Sequence, residues 1–477
     1  MSQAHTQASV MMTLHQALQW LLPQIPSARL VGDGNLSIHR VHTDSRTLQS
    51  GDLFIALKGE HFDANDFLAD AKASGALAAI AHSGLTDAGL SGIEVPNTTF
   101  ALGALAAGWR AQFSLPLIAV TGSNGKTTVT QMLAAVLQAD KPSRTLATVG
   151  NFNNDIGVPL TLLRLRAEHE LAVVELGMNH PGEIAYLSNL AQPTVALVNN
   201  AQREHLEFMA TVQAVAQENG AVITSLPADG VAVFPADNDY TRVWMALASR
   251  HKTLQFGLTT GEVHADEPEW RDGAWAVRAH TPQGTISYRL QIAGRHNVKN
   301  SLAALACALA AGVSLVAISQ GLSTFVPVKG RSRALSLNWS GRPVTLVDDT
   351  YNANPDSVRA AIEVLAELPG PRLLVLGDMG EVGDLGPQFH AEVGRYAQER
   401  GIGALLALGD LTQHTVSAFN SAHNGTGQGQ HFNHIDVLNE AVLTCVNAQV
   451  CSIVIKGSRF MKMERAVVAL QSKVPSC

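Results

Sequence analysis

The sequence lacks the features that mark membrane-spanning, secreted and zinc-binding proteins. No apolar run in its 477 residues reaches the roughly 18 residues that span a bilayer. No lysine or arginine precedes Arg29, so the basic start of a signal peptide is missing. The cysteines form no C-x-x-C pair, and they are Cys307, Cys445, Cys451 and Cys477. We therefore expect a reduced, cytoplasmic protein with neither a disulfide framework nor a zinc site.

Charge and aromatic residues are also sparse. Charged residues make up 15% of the chain and aromatic residues 5%. The 40 acidic residues outnumber the 33 basic ones, and the net charge is −7. We therefore expect no nucleic-acid partner and no general attraction to anionic membranes. If the substrate is anionic, local cations and backbone N–H groups must hold it.

Glycine and apolar residues are abundant. The 40 glycines and the 46% hydrophobic content are typical of α/β proteins with many tight strand-to-helix turns. At roughly 150 residues per domain, the length predicts about three domains. We place them at residues 1–96, 97–328 and 329–477, and we refer to these segments as the first, central and third blocks.

Apolar runs alternate with helical stretches along all three blocks, which predicts parallel sheets covered by helices. Predicted strands are 53–57, 76–81, 117–120, 171–175, 194–198, 344–347, 372–376, 404–408 and 451–455. Predicted helices are 11–22, 66–74, 100–113, 127–138, 300–311 and 356–365. The stretch from about 230 to 292 is more β-like, and 422–430 is a loop. The third block is a second doubly wound, Rossmann-like α/β unit.

The most informative segment is the glycine turn between strand 117–120 and the helix that follows it. Its residues are Gly122, Ser123, Asn124, Gly125, Lys126, Thr127 and Thr128. Val120 stands where the general phosphate-loop pattern has its first glycine, so this is the shorter G-x-x-G-K-T form. Glycines let the backbone bend around an anion, Lys126 can reach terminal phosphates, and the Thr127 hydroxyl can bind Mg²⁺. A chance glycine turn is the alternative.

Two further side chains follow parallel strands. Glu175 ends strand 171–175, where a carboxylate beside the glycine turn can hold Mg²⁺, although a surface glutamate is the alternative. His205 lies just past strand 194–198 and is as readily structural as ligating on position alone.

With these segments the sequence resembles the Mur ligases, ATP-dependent amide-bond ligases of peptidoglycan precursor synthesis. The resemblance covers nearly the whole chain. The segments that carry it are 121–128, 151–159, 175–179, 205–207, 294–300, 330–331, 348–355, 377–381 and 456–459. The runs YNANP at 351–355, LGDMGE at 376–381 and KGSR at 456–459 are most similar to the branch that adds D-alanyl-D-alanine.

The resemblance implies a reaction and a domain plan. ATP phosphorylates the terminal carboxylate of UDP-MurNAc-tripeptide, and the amine of D-alanyl-D-alanine displaces the phosphate. The three domains are then a small uridine-nucleotide-binding domain, a central parallel-sheet ATPase domain, and a C-terminal domain for dipeptide binding and closure. ATP and Mg²⁺ are the implied cofactors, and we expect a monomer.

Residue roles also follow from the resemblance. Residues 122–128 hold the ATP phosphates, with Lys126, Glu175, His205 and Arg331 as the catalytic set. Thr127, Glu175 and His205 bind metal. Asn297 and Asn300 approach the adenine, Arg331 reaches the phosphates, and Asp349 binds the ribose. Asp44, Ser45 and Arg46 are similar to uridine-nucleotide-binding residues. Because Arg331 and Asp349 belong to a different block from Lys126, domain closure would complete the site.

One position departs from the family pattern. Mur ligases usually carry a lysine about a dozen residues after the His-Leu segment, and its carbamylated form helps hold a second Mg²⁺. Asn219 stands there in this sequence, and asparagine cannot be carbamylated. Glu218 could supply the missing carboxylate, or His205, water and substrate could suffice. We favour these two together, and the third interpretation is a weakened or inactive ligase.

Other interpretations stay open at this point. A ligase that adds diaminopimelate or lysine, or a folate polyglutamate ligase, would carry many of the same motifs. A non-catalytic nucleotide- or precursor-binding relative is the alternative that Asn219 suggests. The sequence leaves open whether the tripeptide ends in meso-diaminopimelate or in lysine.

Overall fold

The computed structural model describes residues 10–204, 206–271, 273–421 and 428–473. In chain order the first block contains β1 Met12–Thr13, α1 Leu14–Leu21, β2 Arg29–Val31, β3 Ser37–Ile38, β4 Arg40–His42, β5 Asp52–Ile55, α2 Leu68–Ala73, β6 Ala76–Ala81, α3 Leu85–Ala88 and β7 Ser91–Glu94. Strands β4 to β7 run parallel in a sheet of order β2-β7-β6-β5-β4, and β2 runs antiparallel to β7. The short strands β1 and β3 form a separate antiparallel pair.

The central block is built on a six-stranded parallel sheet. Its first half contains α4 Thr98–Arg110, β8 Leu117–Thr121, α5 Lys126–Asp140, β9 Thr145–Ala147, α6 Gly157–Leu162, β10 Leu171–Glu175, α7 Glu183–Ala191, β11 Val195–Val198, α8 Leu206–Met209 and α9 Val212–Thr224. Its second half contains β12 Val231–Pro235, α10 Thr241–Leu247, β13 Lys252–Phe256, β14 His264–Ala265, β15 Glu269–Arg271, β16 Ala274–Thr281, β17 Gly284–Leu290, α11 Arg295–Ala310 and α12 Leu315–Thr324. The sheet order is β13-β12-β11-β8-β10-β9, and β14 to β17 form a small antiparallel sheet.

The third block forms another six-stranded sheet. It contains β18 Arg333–Trp339, β19 Arg342–Asp349, α13 Pro355–Glu367, β20 Arg372–Gly377, α14 Gly386–Glu399, β21 Ala404–Leu408, α15 Thr412–Ser421, β22 Gln428–Phe432, α16 Ile435–Asn447, β23 Ser452–Lys456 and α17 Glu464–Gln471. The order is β18-β19-β23-β20-β21-β22, parallel except for the edge strand β18. Separate apolar clusters cover its two faces, as in a doubly wound unit.

The predicted fold class is confirmed, and nearly all predicted elements appear within a few residues of their expected bounds. Several elements were not predicted, helices α9, α12, α14 and α16 among them, and three further details differ. The β-like stretch 230–292 also contains helix α10. Strand β18 was not predicted, and it pairs antiparallel with β19 at the sheet edge. Residues 428–430 belong to strand β22 rather than to a loop, while 422–427 lie outside the described residues.

The sheet order of the central block places the glycine turn at a crevice. β8 lies between β11 and β10. The chain leaves β8 toward the β10 side of the sheet and leaves β10 toward the β11 side, so a crevice opens at the carboxyl end of β8. In such open parallel sheets, ligands bind outside the carboxyl ends of the strands at this point. No helix among the described residues is long and apolar enough to cross a membrane.

Arg110, the last residue of α4, is buried and donates hydrogen bonds to backbone carbonyl groups of two other segments. It is 4% exposed and donates to the carbonyl oxygens of Ala191, Gln192 and Phe113 at 2.9, 3.0 and 2.5 Å. Arg110→Ala leaves these oxygens without a donor in a dry interior, so we expect the free energy of unfolding to fall by about 2–4 kcal/mol. Chemical denaturation measures this. Arg271→Ala, in an ion pair with Glu269 whose two side chains are 71% and 58% exposed, is the control and should cost under about 1 kcal/mol. Equal losses in the two variants would contradict the prediction.

Candidate active site

The glycine turn between β8 and α5 has the backbone geometry that an anion site needs. Gly122 and Gly125 have φ angles of 129° and 82°, in the region that favours glycine. A Cβ atom at Gly125 would lie 2.6 Å from Asn300 Oδ1 and 2.8 Å from Asn199 Nδ2, so no side chain fits there. The first N–H groups of α5 have no acceptor within the helix and carry its partial positive charge. The turn therefore has the backbone geometry that binding of phosphate oxygens requires.

A chain of asparagine amides holds this turn in place. Asn124 donates its backbone N–H to Asn200 Oδ1 at 2.8 Å, and its carbonyl oxygen accepts from Asn199 Nδ2 at 2.8 Å. The same Asn199 nitrogen donates to Asn300 Oδ1 at 3.0 Å, and Asn300 Nδ2 donates to Asn297 Oδ1 at 2.9 Å. The two residues predicted to approach adenine thus line the cavity and connect α11 to the turn.

Thr127 and Glu175 meet beside the turn. Thr127 Oγ1 lies 3.2 Å from Glu175 Oε1, which also accepts a hydrogen bond from Asn153 Nδ2 at 2.8 Å. The second carboxylate oxygen, Glu175 Oε2, is buried without a hydrogen-bond partner among the described residues. A hydroxyl and an orphaned carboxylate oxygen fit Mg²⁺, which prefers oxygen ligands and completes its shell with phosphate and water. The described residues contain no larger group of His, Cys, Asp and Glu side chains that could hold a metal.

The lysine of the turn is paired within the protein. Lys126 Nζ lies 3.0 Å from Glu204 Oε1 and donates to the carbonyl oxygens of Gly122 and Ser123 at 2.5 and 3.2 Å. Both partners of the ion pair are largely buried, with side chains 14% and 12% exposed. A terminal phosphate that binds Lys126 therefore competes with the Glu204 carboxylate.

The third block contributes Arg331 to the same place. Its Nη2 donates to Thr127 Oγ1 at 3.0 Å, and its guanidinium lies 3.8 Å from the centre of the Tyr351 ring. The stacked ring fixes the arginine plane next to the hydroxyl that can bind Mg²⁺. The structure thus brings together Lys126, Thr127, Glu175 and Arg331.

Asp349, at the end of β19, is held in an ionised state beside this group. Burial alone would raise the pKa of Asp349, but the charge and hydrogen bond of Lys456 Nζ, 2.6 Å away, hold it below its ordinary value. The backbone N–H of Ser332 adds a further hydrogen bond at 2.9 Å. A fixed, ionised carboxylate that lines the cavity can accept hydrogen bonds from sugar hydroxyls.

These groups surround one large cavity. Its volume is about 1060 Å³, and its walls come from the central and third blocks. It is polar at the glycine turn, and Phe100 and Tyr186 also line it. A nucleotide triphosphate with part of a second substrate is compatible with this size.

The first-block candidates do not line this cavity. Asp44 caps the short 3-10 helix Ser45–Thr47, and its carboxylate pairs with Arg46 at 2.8 Å. The Arg46 side chain is 85% exposed. The Arg46 pair holds the pKa of Asp44 at about 2, below its ordinary value.

Comparison with known families decides what kind of protein this is. Three family models match consecutive parts of the chain. They are the Mur ligase family catalytic domain at residues 37–110, the Mur ligase middle domain at 120–308, and the Mur ligase glutamate ligase domain at 332–459. This chain belongs to the Mur ligase family.

Individual Mur ligases match over almost their full length. UDP-N-acetylmuramoyl-tripeptide–D-alanyl-D-alanine ligase of Escherichia coli K12 is 40% identical, with 94% of this chain and 97% of that protein covered. A crystal structure of MurF from Acinetobacter baumannii has a TM-score of 0.88 at 37% identity, covering 97% and 99% of the two chains. MurF from Thermotoga maritima in complex with ADP has a TM-score of 0.79 at 25% identity, covering 91% and 97%.

The departure from the Mur ligase pattern now has a structural setting. Asn219 is 1% exposed, and its Oδ1 accepts a hydrogen bond from the Gly122 N–H at 2.9 Å. Its carbonyl oxygen accepts a second hydrogen bond from Thr121 Oγ1 at 3.1 Å. Asn219 therefore supports the start of the phosphate loop instead of contributing a carboxylate.

The Glu218 side chain contacts the start of α7. Its two carboxylate oxygens accept hydrogen bonds from the backbone N–H groups of Gly182 and Ile184, at 2.9 and 2.8 Å, at the start of α7. Glu218 is thus engaged as a helix cap and does not line the cavity. The hypothesis that Glu218 replaces the missing carboxylate has no geometric support. His205, the other predicted ligand, lies outside the described residues.

We expect the enzyme to need neither bicarbonate nor carbon dioxide, because Asn219 cannot form a carbamate. Initial rates measured in buffer freed of carbon dioxide should equal those with added bicarbonate, within about twofold. A lysine-containing Mur ligase assayed in parallel is the control for carbon dioxide removal. Strong stimulation of this chain by bicarbonate would contradict the prediction.

Sequence reasoning missed Glu204 and Arg203. Both are charged residues in a loop, and neither stands at a spacing that signals a function. Their adjacency to His205 was the available clue, because that segment follows a strand neighbouring β8. Their partners, Lys126 and the acidic residues of the third block, are far away in sequence.

Proposed function

We propose that this Mur ligase joins D-alanyl-D-alanine to UDP-N-acetylmuramoyl-tripeptide at the expense of ATP. One observation carries the proposal. The phosphate loop of the central block and Arg331 of the third block meet at Thr127 across a cavity, in a chain that matches a ligase of this name over 94% of its length.

Each residue of the site has a role in bringing two anions together. The start of α5 and Lys126 bind the β- and γ-phosphates of ATP, and Arg331 approaches the γ-phosphate from the opposite wall. Thr127 and Glu175 would hold Mg²⁺, and the metal would supply positive charge that offsets the charge of the phosphates. Asp349 binds the ribose, and Asn297 and Asn300 lie on the adenine side.

The reaction then proceeds in two stages. The terminal carboxylate of the tripeptide attacks the γ-phosphorus, which gives an acyl phosphate and ADP. The amine of D-alanyl-D-alanine adds to the acyl carbon, and the tetrahedral intermediate collapses to an amide and inorganic phosphate. Because a carboxylate is a poor electrophile, the phosphate is needed as the leaving group. Lys126 and Arg331 offset the negative charge that builds up.

We assign the blocks accordingly. Residues 1–96 bind the uridine nucleotide, with Asp44, Ser45 and Arg46 as candidates. Residues 97–328 bind ATP, and residues 329–477 bind D-alanyl-D-alanine and close the site. ATP and the UDP precursor are cytoplasmic metabolites, so we place the enzyme in the cytoplasm. We also propose that it acts as a monomer.

The experiment is a substrate-pair comparison. Purified protein with ATP and Mg²⁺ should release ADP and form UDP-MurNAc-pentapeptide only when both UDP-MurNAc-tripeptide and D-alanyl-D-alanine are present. The dipeptide precursor with meso-diaminopimelate or lysine is the control pair and should give no product. Tripeptides ending in each diamino acid identify the preferred third residue. Stoichiometric ATP binding without amide formation would overturn the proposal in favour of a non-catalytic relative.

A further inference from the structure

Three consecutive residues after β11 connect the phosphate loop to the rest of the site. Gln202 donates its backbone N–H to Ser123 Oγ at 2.9 Å, and its Oε1 accepts from Asn124 Nδ2 at 2.6 Å. Glu204 pairs with the lysine of the phosphate loop. The residue between them, Arg203, points to the third block.

Arg203 spans the gap between the two blocks with five hydrogen bonds. Its backbone N–H donates to Asp356 Oδ2 at 2.9 Å, and Nε and Nη2 donate to Asp356 Oδ1 at 3.0 and 2.6 Å. Nη1 and Nη2 also donate to Glu392 Oε2 and Oε1 at 2.8 and 3.0 Å. The guanidinium lies 5.3 Å from the centre of the Phe389 ring.

The setting of these groups makes the contact strong. The Arg203, Asp356 and Glu392 side chains are only 24%, 20% and 27% exposed. The hydrogen bond from Arg203 lowers the pKa of Glu392 below its ordinary value. A bidentate, partly buried arginine pair is geometrically specific in a way that an exposed lysine pair is not.

Asp356 lies next to the third-block residues that reach the phosphate loop. It is in the first turn of α13, two residues after Asn354, and Asn354 Nδ2 donates to Asn124 Oδ1 at 3.0 Å. Arg331, in the same block, donates to Thr127. A shift of α13 away from Arg203 therefore moves the groups that touch the loop.

We propose that Arg203 is a positioning residue that clasps α13 and α14 of the third block onto the central block, so that Arg331 and Asn354 reach the phosphate loop. Arg203 does not itself line the cavity. Arg203 lies between Gln202 and Glu204, which contact the phosphate loop. Its contact with the third block, here called the clasp, is therefore linked to the loop that binds ATP. The inference rests on the proposed ligase function for its kinetic test.

The chain offers a matched control. Arg359, on α13, donates to the same Glu392 at 3.3 Å and lies 3.8 Å from the centre of the Tyr396 ring. All of these partners belong to the third block. Arg359→Gln therefore removes an arginine from the same acidic group without removing a contact between blocks, whereas Arg203→Gln removes the clasp.

The kinetic test compares kcat for product formation with the dissociation constant of a non-hydrolysable ATP analogue. We expect Arg203→Gln to lower kcat by about 10- to 100-fold, because a displacement of about 1 Å costs that much. Its analogue affinity should fall less than kcat does, by about tenfold or less, because the phosphate loop is intact and only the contacts of Arg331 and Asp349 with the nucleotide are weakened. Arg203→Lys should recover part of kcat, and Arg359→Gln should stay within about threefold of the parent.

A structural test uses fluorescence energy transfer between labels on the central and third blocks, with the same ATP analogue. The parent and Arg359→Gln should show a single short distance, and Arg203→Gln a longer or broader one. Unchanged distances and kcat in Arg203→Gln would overturn the proposal, as would equal losses in the two variants. This readout needs no turnover, so it separates failure of the clasp from failure of the proposed function.

Discussion

Lys126→Ala should lower kcat/KM for ATP by about a thousandfold. Its ammonium is largely buried in the cavity beside Glu204, at the start of α5 where the phosphates bind. Removal of one preorganised donor to a developing charge typically costs 10²–10³-fold, and here the lost group also carries a full positive charge. Initial-rate kinetics of ADP release measure the change.

A lysine at the other end of the same helix is the control for Lys126. Lys141 follows α5, is 41% exposed and pairs with Glu170 at 3.3 Å. Lys141→Ala should leave kcat/KM within about twofold, because an exposed ion pair contributes little and lies far from the cavity. If Lys126→Ala keeps more than about a tenth of the parent activity, the assignment of the phosphate loop is wrong.

Glu175→Gln should lower kcat by about 10²–10³-fold and raise the Mg²⁺ concentration for half-maximal rate. The substitution keeps the shape and the acceptor oxygen that faces Thr127 and Asn153. In the variant, the position of the buried, unpartnered Oε2 holds either an amide nitrogen or an uncharged amide oxygen, and neither binds Mg²⁺ well. A Mg²⁺ titration of initial rates measures both effects.

The opposite end of the same strand provides the control. Glu170 directly precedes β10 and pairs with Arg144 and Lys141 on the surface. Glu170→Gln removes the same charge by the same isosteric change, and it should leave the Mg²⁺ dependence unchanged. Parent-like Mg²⁺ dependence in Glu175→Gln would show that the metal is held elsewhere.

The sequence predicted the frame of the site well, because local patterns determine it. A buried strand, a glycine turn and Lys126-Thr127 predict a phosphate loop, and the loop lies at the central strand of the sheet. The short helix α10 was missed inside a β-rich stretch, although Trp244 and its apolar neighbours Val243 and Leu247 occupy one side of it and pack into the core. Seven residues give too little periodicity to decide between helix and strand.

The rest depends on how distant blocks pack. Glu218 is a carboxylate in the expected segment, yet its local helix geometry directs it to the start of α7. Glu204 reaches Lys126 because β11 lies beside β8 in the central sheet, and Arg203 reaches Asp356 because the third block packs against the central block. Asn219 stands out in the sequence as a departure from the family pattern, but its hydrogen bond to Gly122 is visible only in the structure. Contacts between residues far apart in sequence produce no periodic sequence pattern from which they could be predicted.

Transfer of ¹⁸O from the substrate carboxylate to phosphate tests the central claim most directly. The tripeptide precursor is labelled in both oxygens of its terminal carboxylate and converted with ATP and D-alanyl-D-alanine. An acyl phosphate requires one ¹⁸O atom in each inorganic phosphate released and one in the new amide carbonyl, which mass spectrometry measures. Unlabelled phosphate, or label in AMP instead, would contradict the proposed mechanism.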